Sequence, residues 1–354
     1  MNIFKQIRLF LRRYLRDFSK WYIERYGYFV IEKKNLYDWQ INPNYNASYN
    51  LPTKIPKDAK EYLHPKNPRL IQLRNDYQKF LAKNFKKGLW TENYLKNEDL
   101  LFFRGDNPYV YQKRGNQLSI FAYLITYFWF KSNDKTDDLS LFNEEKSFGV
   151  YNYVIDKKNI TRDLLDSFNE IAFLKENFFK NYDNKVKVLE IGAGYGRLAK
   201  WLTKNTGLIE HYYCIDGIAE STFISEYFLK KYHKINKVTV VPIDQKESLV
   251  ENDNISLAIN IHSFSEMTFD FVKFWIKELT RIKVPYLFIV PNAGHKYEGD
   301  LISFDKINFK NLLESNGYEL VLKREKYLDP HVQKYGLNPT MYYLFQNPNF
   351  MDTK

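Results

Sequence analysis

The chain has 354 residues, of which 44% are apolar and 18% aromatic, and its formal net charge is +11. This composition excludes a disordered chain and suffices for a large buried core, while a single cysteine, Cys214, excludes an intramolecular disulfide framework. We therefore expect a cytoplasmic protein without a secretory signal or a run of the ~20 apolar residues that cross a bilayer. The charge is uneven, because residues 1–100 contain 20 Lys/Arg and 10 Asp/Glu, whereas residues 181–354 contain 22 and 21.

Residues 1–25 show helical periodicity, with an apolar and aromatic face opposite a face rich in Lys and Arg. Two interpretations are open. The helix could lie on an anionic membrane surface, on the inner face of the cytoplasmic membrane. It could equally pack on its own domain or on a second copy of the chain.

The rest of the N-terminal region is predicted to be helix-rich. Residues 40–66 have the composition of an extended loop, and Asn67 and Pro68 are typical of a helix start. Further helices are predicted at 119–130 and at 160–179, the second capped by Thr161. We assign residues 160–354 to one domain, and residues 1–159 to a helix-rich region that covers the substrate of that domain.

After residue 184, short apolar strands alternate with helices. Strands are predicted at 186–191, 211–216, 238–243, 255–261, 286–291, 318–327 and 341–347, and helices near 197–206, 219–232, 269–281 and 305–316. This alternation predicts a parallel sheet with helices on both faces. No helix is predicted between the last two strands, so the last strand is expected to run antiparallel.

The first of these strands leads into a glycine-rich turn, "EIGAGYGRLA". Gly192, Gly194 and Gly196 have the spacing G-x-G-x-G, which differs from the dinucleotide fingerprint G-x-G-x-x-G, and no G-K-[ST] follows to make a phosphate loop. Glu190 would repel a pyrophosphate, but it suits a ligand with an ammonium and a sulfonium group.

Carboxylates also close the next two strands. Asp216 can accept both hydroxyls of a ribose, and Asp244 can reach an adenine amino group. Acids at three successive strand ends predict a nucleoside cofactor without phosphate, namely S-adenosylmethionine. The predicted cofactor residues are Glu190, Gly192, Ala193, Gly194, Tyr195, Gly196, Arg197, Asp216, Gly217, Asp244 and His262.

The motif E-x-G-x-G-x-G with an acid at the next strand end resembles the class I S-adenosylmethionine-dependent methyltransferases, over roughly residues 160–347. Short stretches resemble the sugar O-methyltransferase family of bacterial surface-glycan gene clusters, namely "ITRDLLDSFNEIAFL", "EIGAGYGRLA", "INIHSFSEM", "NPTMYYLFQN" and "NPYVYQ". The resemblance implies a Rossmann-like seven-stranded sheet with an antiparallel last strand. It also implies methylation of a sugar hydroxyl in capsule, lipopolysaccharide or a nucleotide-sugar precursor.

Two other functions are considered. A nucleic-acid methyltransferase is disfavoured, because "NIHSFSEM" stands where enzymes acting on base amines have Asn/Asp-Pro-Pro-aromatic. The second function is that of a non-catalytic protein with this fold that serves as a partner in a glycan assembly complex. A homo-oligomer is compatible with the sequence.

A hydroxyl acceptor benefits from a general base at the end of the fourth strand. His262 is the first choice, since its ordinary pKa is ~6.5, and Glu266 is either the base itself or the group that orients the imidazole. After the fifth strand, Asn292 and His295 are further candidates. Glu266 and Asp270 lie one turn apart without a dense acid cluster, so a metal ion is not expected.

The remaining predicted substrate residues lie before the glycine turn. Arg104 and Tyr111 belong to an aromatic and polar stretch that could contact a sugar, and Arg162 lies on the helix that precedes the first strand.

Overall fold

A computed structural model describes residues 3–26, 53–84, 100–105, 120–292 and 299–351 of the chain. The described residues fall into two compact units, one within residues 1–40 and one within residues 41–354, and the division of roles at residue 160 stays a prediction. In the first unit the structure describes helix α1 (Ile3–Arg25), as predicted. Of the helices in the described ranges, none combines the length and the apolar character that a bilayer crossing requires.

The second unit begins with helices α2 (Lys57–Tyr62), α3 (Pro68–Asn84) and α4 (Ile120–Asn133). The Asn67 side chain accepts the Arg69 N–H (2.9 Å) at the start of α3, as a cap does. Helix α2 corrects the loop predicted over 40–66, of which residues 40–52 lie outside the described ranges. Helix α3 packs on the sheet domain, where the Tyr77 hydroxyl lies 2.6 Å from that of Thr222.

A hairpin follows that the sequence analysis does not predict. Strands β1 (Tyr153–Ile155) and β2 (Lys158–Ile160) pair antiparallel. The two turn residues, Asp156 and Lys157, both have positive φ (52° and 62°), the backbone of a two-residue hairpin turn. Helix α5 (Arg162–Asn177) then begins at the predicted cap, where the Thr161 hydroxyl accepts the Leu164 N–H.

Seven strands make the main sheet, in the order β5-β4-β3-β6-β7-β9-β8. They are β3 (Val186–Ile191), β4 (Ile209–Asp216), β5 (Val238–Pro242), β6 (Ile255–Ile261), β7 (Tyr286–Val290), β8 (Glu319–Glu325) and β9 (Met341–Gln346). The first five are parallel, and β9 runs antiparallel to both of its neighbours. This confirms the predicted Rossmann-like methyltransferase sheet.

The helices that alternate with these strands also agree with the prediction. They are α6 (Arg197–Asn205), α7 (Ala219–Ser225), which continues as a π-helix over Glu226–Tyr232, α8 (Phe269–Arg281) and α9 (Lys310–Ser315).

One helix lies where none is predicted. Helix α10 (Pro330–Tyr335) stands between β8 and β9, with Asp329 accepting the N–H groups of His331 and Val332. The Asp-Pro pair is a helix-start signal that the sequence analysis missed. The last strand is antiparallel as predicted, although the stated reason was wrong.

The strand order positions a ligand site. Strand β3 has β4 and β5 on one side and β6 and β7 on the other, so the order reverses between β3 and β6. In open α/β sheets, ligands bind in the crevice beyond the carboxyl ends of the strands at such a reversal. The glycine turn follows β3, and the predicted carboxylates follow the neighbouring strands.

Candidate active site

The glycine turn between β3 and α6 has a left-handed backbone at Gly192, Gly194 and Gly196 (φ 76°, 57° and 87°). A Cβ on Gly192 would lie 2.2 Å from Oγ of Ser263, in the turn after β6, so only glycine lets these two turns approach. At Gly194, no heavy atom of the described residues lies within 4 Å of the same position. Its face is therefore open, and a ligand can approach the backbone there.

Glu190 lies under this turn and is almost completely buried. The Tyr212 hydroxyl on β4 donates to its Oε2 (2.8 Å), and no described residue forms an ion pair with it. Burial raises the pKa of Glu190 to about 8, with smaller opposing effects from the charge of Arg197 and the Tyr212 hydrogen bond.

Asp216 closes β4 and joins the two neighbouring turns. Its Oδ2 accepts the Gly194 N–H and its Oδ1 accepts the Ile218 N–H, both at 2.9 Å. Burial raises the pKa of Asp216 to about 6, although both hydrogen bonds act in the opposite direction. A carboxylate has about four acceptor positions, so two are left for a ligand such as a diol.

Asp244, beyond β5, has an incompletely satisfied carboxylate. Its Oδ1 is buried without a hydrogen-bond partner among the described residues, and burial raises the pKa of the group. The preceding N–H, that of Ile243, donates to the Tyr77 hydroxyl (3.1 Å). Because buried acceptors are nearly always satisfied, this atom indicates a donor that the described protein does not supply.

The turn after β6 is held to β3 by a buried amide. Asn260 donates to the Ile191 carbonyl and accepts the Phe264 N–H, both at 2.9 Å. His262, in this turn, has a strained backbone for a side-chain-bearing residue, with φ 66° and ψ −31°. The turn is thereby fixed next to the glycine turn.

The hydrogen bonds of His262 define its protonation. Its Nδ1 lies 3.2 Å from the Pro291 carbonyl oxygen, and its Nε2 lies 3.1 Å from Nδ2 of Asn338. A carbonyl can only accept, so Nδ1 has the proton and Nε2 accepts from the amide. Burial, aided by the charges of Arg162 and other cations, lowers the pKa of His262 to about 3.

These features disfavour His262 as the general base. The lone pair that would take a proton is already engaged, and a group with so low a pKa accepts a proton weakly near neutral pH. The imidazole is instead a neutral hydrogen-bonding element between the β6, β7 and β9 ends of the sheet.

Glu266 has the properties that His262 lacks. Its Oε1 accepts from Nδ2 of Asn292 (3.2 Å), while the Asn292 N–H donates to Oγ of Ser265 (3.1 Å). Burial raises the pKa of Glu266 to about 8, the Asn292 hydrogen bond opposes this, and the charge of Asp216 adds to it. Glu266 and Asp216 are therefore close enough for their charges to interact, and the role of Glu266 as the base stays a prediction.

Two predicted cofactor residues are engaged in a buried polar network instead. The Arg197 guanidinium binds Glu170 on α5 through two hydrogen bonds of 2.7 and 3.0 Å and also donates to Ser167. The Tyr195 hydroxyl donates to Asp163 (2.5 Å). Both side chains join the glycine turn to α5, and contact with a cofactor stays a prediction for them.

Among the predicted substrate residues, Arg104 is buried against Glu144 (2.7 Å), a position that does not favour contact with a substrate. Arg162 donates to Asp166 (3.0 Å) and lies close enough to influence His262. Tyr111 and His295 lie outside the described residues, so their roles stay predictions.

The backbone of Ala193 and Gly217 belongs to the turns described above. The Ala193 N–H donates to the Ile215 carbonyl (3.2 Å), and a Cβ on Gly217 would make an ordinary contact with Phe271.

Three site residues were not predicted. Tyr212 and Tyr77 face the strand-end carboxylates, and Asn338 fixes the imidazole of His262. Asn338 begins the quoted motif "NPTMYYLFQN", which was the available signal. Among the described residues, no group of three or more His, Cys, Asp or Glu is placed to share a metal ion.

No protein-family model matches the sequence, and no curated protein matches it. A magnesium protoporphyrin IX methyltransferase from Synechocystis, solved with bound SAM, is 10% identical over 64% of this chain and 97% of its own (TM-score 0.38). A SAM-dependent methyltransferase from Aquifex aeolicus is 18% identical over 51% of this chain and 96% of its own, with a TM-score of 0.36. A SAM-dependent methyltransferase from Leishmania major is 16% identical over 51% of this chain and 71% of its own, with a TM-score of 0.36. Likenesses this weak say nothing about the reaction of this chain.

Proposed function

We propose that the protein is an S-adenosylmethionine-dependent methyltransferase. The observation that supports this most is the set of strand-end carboxylates, Glu190, Asp216 and Asp244, around a glycine turn whose middle residue is open. None of the three forms an ion pair with a described residue. A cationic nucleoside that also has an amino group and a diol is a chemically matched ligand for such a set.

The residues present fit this cofactor part by part. Asp216 would accept the ribose hydroxyls with its two remaining acceptor positions, and the orphaned Oδ1 of Asp244 would accept from the adenine amino group. Glu190 and the open backbone at Gly194 would face the methionine portion. Its positive charges would favour the ionised form of Glu190, which burial alone disfavours.

When bound, S-adenosylmethionine supplies a methyl group activated by its sulfonium. The protein then has to orient an acceptor and remove its proton. Glu266 takes the proton in its ionised form, which the positive charge of the bound cofactor would favour over the protonated form that burial stabilises. Asn292 donates to this carboxylate and orients it, whereas the neutral imidazole of His262 donates to the Pro291 carbonyl oxygen and accepts from Asn338.

We infer that the acceptor is a sugar hydroxyl of a bacterial surface glycan or of its precursor. A hydroxyl is a poor nucleophile, so an acceptor of this kind makes use of a raised-pKa carboxylate at this position. The five short stretches that resemble sugar O-methyltransferases support the same acceptor.

The test gives purified protein methyl-labelled S-adenosylmethionine and, separately, nucleotide sugars, cell-envelope glycan and total RNA. Label in either sugar pool is the expected result, and it also identifies the stage at which methylation occurs. Label in RNA alone would replace the sugar acceptor by a nucleic acid. Binding without transfer to any pool would favour the non-catalytic partner, and absence of binding would overturn the methyltransferase itself.

A further inference from the structure

Helix α1 presents an apolar face to solvent. The apolar side chains that the structure describes on this face are all exposed, for example Phe10 to 69% and Tyr14 to 63% of its surface. The face consists of Ile7, Phe10, Leu11, Tyr14, Leu15, Phe18, Trp21 and Tyr22. At ~3.6 residues per turn they fall within an arc of roughly 140°. A surface helix of a globular protein normally buries such a face.

The opposite face is basic. Arg8, Arg12, Arg13 and Arg16 are exposed on it, with Arg16 3.0 Å from Asp17. Over Ile3–Arg25 the sequence has seven Lys/Arg and two Asp/Glu. The face is therefore suited to attraction by a negatively charged surface.

Aromatic rings make up much of the apolar face, and they contact one another. Phe18 lies 5.9 Å from Trp21 and 6.4 Å from Tyr22, and Tyr22 lies 5.1 Å from Tyr26, measured between ring centroids. The Arg25 guanidinium lies 5.5 Å above the Trp21 ring. Trp and Tyr are the residues enriched where protein meets the boundary between headgroups and acyl chains.

We propose that α1 binds in the plane of an anionic phospholipid surface, with its aromatic face inserted and its arginines at the headgroups. A broad apolar arc beside a basic face is the pattern of interfacial helices. A coiled-coil pairing with a second copy would use a narrower stripe and would bring two strongly basic helices together. The proposal does not depend on the methyltransferase function.

The experiment measures co-sedimentation of the full chain with vesicles of phosphatidylcholine alone or with about one third phosphatidylglycerol. Each Arg near an anionic surface contributes about fivefold in partitioning, so Arg12→Gln/Arg16→Gln should weaken binding roughly 25-fold. Phe10→Ser/Phe18→Ser should weaken it at least about tenfold. Leu328→Ser, at a similarly exposed leucine (65%) elsewhere, is the matched control and should not change binding.

We expect binding to the anionic vesicles that salt and both double variants reduce. No binding, or equal binding by Phe10→Ser/Phe18→Ser, would overturn the proposal. Equal binding to neutral vesicles would overturn its electrostatic part. Light scattering supplies the remaining outcome, since a dimer that Phe10→Ser/Phe18→Ser separates, without vesicle binding, would assign the face to a second copy. Unchanged unfolding midpoints of the variants exclude misfolding as the cause.

Discussion

Two groups of buried carboxylates differ in what the protein gives them. In the crevice, Glu190, Asp216 and Glu266 have no cationic partner among the described residues, and the pKa of each is raised, to about 8, about 6 and about 8. On α5, Asp166 lies 2.5 Å from Nζ of Lys326 and 3.0 Å from Nε of Arg162. These cations hold its pKa well below the ordinary range.

The difference distinguishes carboxylates that stabilise the fold from carboxylates that are free to bind a ligand. A buried charge is costly unless a partner compensates it, so the paired group gives a rigid polar support that needs no ligand. The crevice group leaves that compensation to something that binds. We propose that Glu190 and Asp216, which lie beside the glycine turn, take this compensation from a positively charged ligand.

Glu266→Gln gives the largest expected change. If Glu266 removes the acceptor proton, the neutral isostere should lower the methyl-transfer rate constant by about 10²–10⁴-fold, while S-adenosylmethionine affinity stays within about twofold. Single-turnover label transfer and calorimetric titration measure the two quantities. His262→Gln is the comparison variant, and it should lower the rate less than Glu266→Gln. The reverse order would return the base to His262.

Lys326→Met tests the paired group. Arg162 still pairs with Asp166 when Lys326 is removed, so only the part of the compensation that Lys326 supplies is lost. The free energy of unfolding should therefore fall by about 1–3 kcal/mol. Lys323→Met, at an exposed position on β8 just before Lys326, should change it by less than about 0.5 kcal/mol. Denaturant titration measures both. Equal effects would remove the contrast between the two groups.

The free energy of unfolding should depend on pH because of the buried carboxylates in the crevice, and Glu190 is the test case. The pKa of Glu190 is raised from 4.5 to about 8 on folding, so the folded state binds its proton more tightly than the unfolded state. The resulting stability is complete below pH 4.5 and is lost as pH rises to about 8.

We therefore expect the ligand-free protein to lose on the order of a few kcal/mol between pH 5 and pH 8, and Glu190→Gln to remove much of that loss. Denaturant unfolding at four pH values measures it. Glu210→Gln, at an exposed position on the next strand, should keep the wild-type slope. If the free energy of unfolding of Glu190→Gln fell with pH as steeply as that of the wild type, the raised pKa of Glu190 would be contradicted.

Asp216→Asn should weaken S-adenosylmethionine binding by about 100-fold, because hydrogen bonds to a charged group contribute about 1.5–3 kcal/mol and two ribose hydroxyls are involved. Methylthioadenosine lacks the amino acid portion but retains the ribose, and its affinity should fall equally. Calorimetric titration compares the two ligands. A loss confined to S-adenosylmethionine would mean that Asp216 contacts the methionine portion instead.

The sheet was predictable because its signal is local. Strands such as 286–290 are continuous apolar runs, as expected of a strand buried on both faces. The acids at the ends of neighbouring strands meet at one edge of the sheet once the strands are parallel. The hairpin of β1 and β2 was missed because three-residue strands show too little alternation to recognise. Helix α10 was missed although its Asp-Pro start was visible.

The chemistry of the site was less predictable than its position. His262 was preferred as base on its ordinary pKa, but its environment includes Asn338, 76 residues away along the chain. A pKa depends on burial and on charges that only the folded chain brings together. The same holds for Glu266, whose pKa the crevice raises into the useful range.

Asp244→Ala gives the smallest expected effect and the sharpest structural assignment. If Oδ1 accepts from the adenine amino group, the variant should bind S-adenosylhomocysteine about tenfold more weakly, the equivalent of one hydrogen bond to a charged group. Its inosyl analogue, which lacks the amino group, should bind wild type and variant equally. Because the orphaned acceptor is costly in the ligand-free protein, the variant should also unfold at an equal or higher denaturant concentration. If both ligands lost affinity equally, Asp244 would support the crevice without contacting the adenine. It would then belong with the carboxylates that stabilise the fold and not with those that bind the ligand.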